Sequence, residues 1–392
     1  MTPTRSNTTG PLEGLRVLEF AQIAAGPFTG SLFADLGADV VKIERPDGGD
    51  GMRSWPPIHE MEDGGSFSGN FTSLNRNKRS VTIDIKKKED ADRLRRLIAK
   101  ADVLIENFRP GALGRSGFGY EDCKAINPRL VYCSITGYGQ DGPYAGKGAF
   151  DVTVQAMSGL MSVTGEQDGA PVKCGVPVGD FAAGLYAAFV SLAAIQQARA
   201  SGEGAHVDCS LLGSLLGISA LQTSQFFGTG IPPARMGSKH PRNAPYQGYE
   251  SADRPFTIAA GNDKLWRDTC LVVDMPELAE DPRFLTQSLR AENQDQLSAI
   301  LQPVFYTRSA SEWLAEFDAK GIPCAPINDF REVLSDPHVS GTGWIMKTEM
   351  PNGADVSTVG FPVGLTGFEY SIRRRPPALG EHDEEVMTEW QA

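Results

Sequence analysis

The sequence predicts an α/β protein with a Rossmann-like, doubly wound parallel sheet. Two observations predict it: the chain opens on a strand–helix–strand unit punctuated by Gly26 and Gly37, and strand and helix patterns keep alternating through its first half. Arg16–Phe20 reads as the first strand, 27–36 as a helix and Asp39–Ile43 as the second strand. Ser80–Asp84 is a further strand, followed by an amphipathic charged helix over 88–100 and a strand over 102–105. Next come a buried strand over 129–135, a Gly/Tyr/Pro loop over 136–148 and a helix over 151–159. An Ala-rich helix beginning near Phe181, a short strand over 206–211 and a helix over 214–227 follow. Residues 228–248 are dense in Gly, Pro and polar residues and read as a connection. Beyond it lies a smaller α+β region, 249–325, with a strand over 255–260 and helices near Leu265, over 289–305 and over 311–320. The stretch 361–368 and the Arg373–Pro377 segment close the chain.

Composition narrows the function. With 392 residues, 41% hydrophobic and 22% charged, the chain can bury a large core divided between two domains. Its net charge of −12 repels a phosphate backbone, so nucleic acid is not an expected partner. The polar N-terminus lacks the apolar core of a secretory signal, and the apolar run 181–195 reads as a buried helix rather than a membrane span, giving a cytoplasmic expectation. Six scattered cysteines and five dispersed histidines show no zinc-ligand spacing, so reduced thiols and no metal site are expected.

The opening βαβ unit ends its second strand in Glu44, as a nicotinamide-binding fold would. Its turn, Ala24-Ala-Gly-Pro-Phe-Thr-Gly30, is not GxGxxG, and Pro27 removes an amide that would face a pyrophosphate. An NAD-dependent dehydrogenase therefore remains only an alternative.

Motifs along nearly the whole chain carry a resemblance. They are Pro11-Leu-Glu-Gly-Leu-Arg-Val-Leu18, Ala34-Asp-Leu-Gly-Ala-Asp-Val-Val-Lys-Ile-Glu-Arg-Pro46, Asn75-Arg-Asn-Lys-Arg-Ser80, Glu106-Asn-Phe-Arg-Pro-Gly111, Gly137-Tyr-Gly-Gln-Asp-Gly-Pro143, Gly179-Asp180, Asp281-Pro-Arg-Phe284 and Leu379-Gly-Glu-His382. Together they resemble the class III CoA-transferases, the CaiB/BaiF group of formyl-CoA transferase, carnitine CoA-transferase and the alpha-methylacyl-CoA racemases. The resemblance implies a large CoA-binding domain built from 11–227 and the returning 326–392, with the small domain inserted, and an interlocked homodimer. It implies acyl-CoA and a free carboxylic acid as substrates and no tightly bound cofactor.

On its own, Asp180 before an apolar helical run reads as a helix N-cap, worth about 1 kcal/mol. The resemblance makes it the nucleophile, whose carboxylate attacks a thioester and forms a mixed anhydride and then an aspartyl-CoA thioester. By the same resemblance Arg45 faces the adenine end of coenzyme A, Arg115 reaches phosphate, Asn107 and Phe108 line the pantetheine path, and Ile83 makes an apolar contact. Arg79, with Lys78, is a candidate second phosphate contact. Ala24 stands where formyl-CoA transferase has a Gln near the site, with Gln22 two residues earlier, a departure that bears on the substrate pair. Racemases of this fold pair the Asp with a His, but here the matching position is Phe150, which carries no proton; Asp151 beside it then reads as structural, as a helix cap. Racemisation stays as the second alternative.

Overall fold

The computed structural model describes residues 10–60, 66–350 and 354–391. The chain forms two compact units, one comprising 1–160, 173–230 and 337–392, the other 161–172 and 231–336. The second unit thus takes a segment, 161–172, from within the first half of the chain and extends on both sides of 249–325.

In the first unit, β1 (Arg16–Phe20), α1 (Ala25–Asp35) and β2 (Asp39–Glu44) form the expected βαβ unit. A short hairpin, β3 (Ile58–Glu60) and β4 (Ser66–Ser68), leads through α2 (Gly69–Asn75) to β5 (Lys78–Thr82). Then follow α3 (Lys88–Ile98), β6 (Val103–Glu106), α4 (Tyr120–Ile126), β7 (Val131–Thr136), α5 (Asp151–Met157), α6 (Val178–Ser201), β8 (His206–Ser210), α7 (Leu211–Ile218) and α8 (Ala220–Thr229). Six parallel strands pair in the order β5-β2-β1-β6-β7-β8, with Val17 opposite both Val40 and Val103. Numbered by sequence this is 3-2-1-4-5-6, the doubly wound order, and its direction reverses between β1 and β6.

The pleat divides the core. Val17, Val40, Val103, Ile105, Val131 and Cys133 face α1 and α6, while Leu18, Val41, Leu104 and Tyr132 face α3 and the end of the chain. Small residues bring α6 close to α1: a Cβ on Gly184 would lie 2.7 Å from the Phe28 ring and 3.1 Å from the Ala25 carbonyl. Among the described residues α6 alone is long and apolar enough to cross a membrane by length and composition, but its buried Ala183, Ala187, Ala194 and Ala198 belong to the core on β7 and β8.

The second unit carries an antiparallel sheet, β9 (Tyr246–Glu250) and β10 (Pro255–Ala259) with β11 (Cys324–Pro326), under α9 (Asp263–Val272), α10 (Gln287–Glu292), α11 (Gln294–Phe305), α12 (Ala310–Ala319) and α13 (Phe330–Ser335). Its core is aromatic, with Phe305 edge-on to Phe256 and Trp313.

The chain then rejoins the first unit through α14 (Pro337–Gly341), a hairpin of β12 (Ile345–Glu349) and β13 (Asp355–Val359), and α15 (Asp383–Gln391). Val386, Met387 and Trp390 complete the core on the α3 side, and the Trp390 indole donates to Asp39 at 2.8 Å. Over 361–368 a single bridge joins Leu365 and Phe368.

Candidate active site

In open α/β sheets the carboxyl ends of the strands at the reversal point leave a crevice. Here that crevice is a cavity of about 300 Å³ lined by Gln22–Ala25 after β1, Asn107–Pro110 after β6, Lys147–Asp151, and Asp180. The topology places the nucleophile candidate there without reference to any motif.

Each wall has a visible cause. Asn107 clamps the turn after β1, its Oδ1 accepting from Gln22 N at 2.9 Å and its Nδ2 donating to Gln22 O at 2.8 Å. That fixes the Asn107 amide in the wall and leaves one Nδ2 proton and one Oδ1 lone pair for a ligand. Ile23 adopts a left-handed φ of 69°, a costly conformation for a β-branched residue. The buried Asp50 carboxylate holds it there by accepting its N–H at 3.1 Å. Asp50 in turn pairs with Lys42 at 2.8 Å, and Lys42 pairs with Glu19 at 2.8 Å. Burial opposes the Lys42 charge, but the Glu19 and Asp50 carboxylates outweigh it and hold its pKa above the ordinary value. On the β6 side Glu106 accepts from Phe108 N at 2.8 Å and bends the loop back; burial raises its pKa.

Asp180 does not cap its helix. α6 begins at Val178 with Pro177 as the flanking residue, so Asp180 is the third helical residue, and its carboxylate makes no hydrogen bond to the described residues. Burial, and then the neighbouring Asp151 charge, raise its pKa to about 6. Its place in the first turn of α6 favours the ionised form, so at neutral pH most of it is carboxylate. Asp151 is not a cap either. It is the first residue of α5, with Phe150 in the cap position, and it accepts from Gly179 N at 2.8 Å.

The other sequence candidates separate. Ala24 and Phe108 line the cavity beside Asp180, as does Asn107. Arg45 and Arg115 are exposed, outside the cavity wall, on loops that leave the carboxyl ends of β2 and β6. Ile83 is 3% exposed and packs into the core on the α3 side, so it is a core residue. The phosphate contact expected of Arg79 and Lys78 is corrected: both are buried and committed to carboxylates. Arg79 pairs with Asp39, Glu385 and Glu389, and Lys78 pairs with Glu19 at 2.6 Å. Burial lowers the Lys78 pKa to about 8 despite Glu19.

The sequence reading missed two cations. Arg109 and Lys147 line the cavity and form no ion pair with the described residues. Arg109 lies inside the quoted Glu106–Gly111 motif, and Lys147 is the sole cation of the loop 136–148, which is the signal that would have found it. Glu44 also disposes of the dehydrogenase reading. It is buried and accepts from Arg53 at 2.7 Å, Ser80 at 2.7 Å and Asp50 N at 2.9 Å, so it has no oxygen left for a ribose.

Comparison with known proteins gives the family. Residues 12–383 match the family described as CoA-transferase family III. The chain belongs to that family. A succinate–glutarate CoA-transferase of Agrobacterium fabrum is 38% identical over 98% of this chain and 96% of its own length. An acetyl-CoA:oxalate CoA-transferase of Acetobacter aceti is 36% identical over 99% and 98%. A solved CAIB/BAIF family protein from Brucella suis superposes with a TM-score of 0.87 at 39% identity, over 97% of this chain and 100% of that one. The protein is thus a family III CoA-transferase that uses CoA thioesters and carboxylic acids. Phe150, 74% exposed, lines the cavity and carries no ionisable group.

Proposed function

We propose that this CoA-transferase works through an aspartyl-CoA intermediate on Asp180 and that its acids are small dicarboxylates. The observation carrying the first part is an Asp180 carboxylate without hydrogen-bond partners among the described residues in the switch-point cavity, with its pKa raised to about 6 by burial and Asp151. One carboxylate oxygen attacks the thioester carbonyl carbon, and collapse of the tetrahedral oxyanion expels CoA thiolate and leaves a mixed anhydride. The thiolate then attacks the aspartyl carbonyl, forming the aspartyl-CoA thioester and releasing the donor acid. An acceptor carboxylate attacks that thioester, and the returning thiolate cleaves the new anhydride to free Asp180. Each oxyanion needs donors, and the first-turn amides of α1 at Ala25 and Gly26, which have no intrahelical acceptor, are our candidates.

The second part is supported by Arg109 and Lys147, two cations at the cavity without ion-pair partners among the described residues, and by the acids in the relatives' names: succinate, glutarate and oxalate. Arg45 and Arg115 are proposed contacts for the coenzyme A phosphates from the rim. A second copy of the chain is the proposed cover for Leu185 and Phe189 of α6 and Leu221 and Phe227 of α8, all more than half exposed. The test is exchange: succinyl-CoA is incubated with oxalate, glutarate, mesaconate and butyrate, and new acyl-CoA is read by mass spectrometry. Dicarboxylates are expected to accept CoA and butyrate not; preferential transfer to butyrate would refute the acid class.

A further inference from the structure

The transfer chemistry described above gives Asp151 no role, yet it is the carboxylate that meets the nucleophile's turn. Its Oδ1 accepts from Gly179 N at 2.8 Å, and its Oδ2 accepts from Gln155 Nε2 at 2.6 Å. Gln155, itself fully buried, uses its remaining oxygen to accept from Cys174 N at 2.8 Å. Asp151 and Gln155, one turn apart on α5, thus tie down both ends of the segment that delivers Asp180. The fit is close: a Cβ on Gly179 would lie 3.0 Å from the Asp151 carboxylate.

We infer that Asp151 is a positioning residue for Asp180, fixing the nucleophile's turn through the Gly179 amide and opposing Asp180 ionisation through space. The surrounding charges agree. Around the cavity the titratable groups are Arg109 on the loop after β6, Lys147 on the loop before α5, Asp151 on α5 and Asp180 on α6; α7, packed against α5, bears none. Among these, Asp151 alone shares the sign of Asp180. Burial first and Asp151 second raise the nucleophile's pKa to about 6. A more basic carboxylate is a stronger nucleophile, and with a pKa of about 6 roughly nine-tenths of it is ionised at pH 7. Asp151 therefore raises the reactivity of Asp180 without protonating it at neutral pH.

The inference rests on Asp180 being the nucleophile, and its test separates the two claims. kcat and KM for succinyl-CoA with glutarate are measured from acid to alkaline pH for wild type, Asp151→Asn, Asp151→Ala and Asp180→Ala. In Asp151→Asn the amide oxygen still accepts from Gly179 while its Nδ2 faces the Gln155 Nε2 donor, so kcat at alkaline pH falls less than in Asp151→Ala and the acid limb of kcat/KM moves down by at least about 0.5 unit. In Asp151→Ala the limb moves likewise and kcat falls at least about tenfold, with a smaller change in KM. An acid limb unmoved in both Asp151 variants, or Asp151→Ala with wild-type kcat, overturns the inference. Activity retained by Asp180→Ala refutes the nucleophile assignment itself, whatever the Asp151 variants do.

Discussion

Replacing Asp180 by Asn should stabilise the protein while disabling it. Folding carries this carboxyl from its ordinary pKa of 3.8 to about 6. Two units correspond to roughly 3 kcal/mol of disfavoured charge, and the partial exposure of Asp180 screens this to about 1–2 kcal/mol. The pH dependence has a definite sign. Between pH 3.8 and about 6 the folded state binds more protons at this site than the unfolded one, so wild-type stability falls as pH rises through that window. Asparagine has no such dependence. The variant's advantage is therefore absent well below pH 4, grows through the window and is constant above about 6. Paired urea melts of wild type and Asp180→Asn at a series of pH values read this directly. An advantage independent of pH, or a variant less stable than wild type at pH 7, would refute the burial argument.

Other consequences follow from the same contacts. Wild-type kcat/KM for the acyl-CoA donor should fall about tenfold per unit below pH 6, because the free enzyme's Asp180 protonates there; a flat profile down to pH 5 would contradict it. Gly184→Ala should cost about 1–3 kcal/mol, since the added carbon meets the Phe28 ring at 2.7 Å and the Ala25 carbonyl at 3.1 Å; urea melts check it, and unchanged stability would show that α1 and α6 can part freely. Asp50→Ala leaves Lys42 to share Glu19 with Lys78 and leaves the Ile23 amide without its acceptor, a loss of about 3–5 kcal/mol. Thermal melts test this, and a melting temperature equal to wild type would remove Asp50 from the framework of the site.

The central sheet was legible because each strand and its following helix carry local signals: apolar residues in β1, β2, β6 and β7, and glycines at the joins. Gly-Asp180 was legible only through resemblance, since an acid before an apolar helix reads as a cap, and α6 starts three residues earlier than that reading supposes. What the sequence hid is long-range. Lys78 and Arg79 look like a basic cluster until β1 brings Glu19 and the C-terminal helix brings Glu385 and Glu389 to them. Asp50 and Lys147 lie in loops with no periodicity, and Gln155, on the expected helix, matters through Asp151 and Cys174, a role that helical spacing does not reveal. α15 escaped notice because Asp383–Glu385 crowd acid into its first turn, which hides the core contacts of Val386 and Trp390.

The covalent state of Asp180 during turnover is the decisive observable. The protein would be mixed with succinyl-CoA without an acceptor acid, quenched, digested and examined by mass spectrometry. A coenzyme A adduct on the peptide carrying Asp180, lost in Asp180→Ala together with all exchange activity, is the predicted result. An adduct on another residue, or full exchange by the alanine variant, would contradict it.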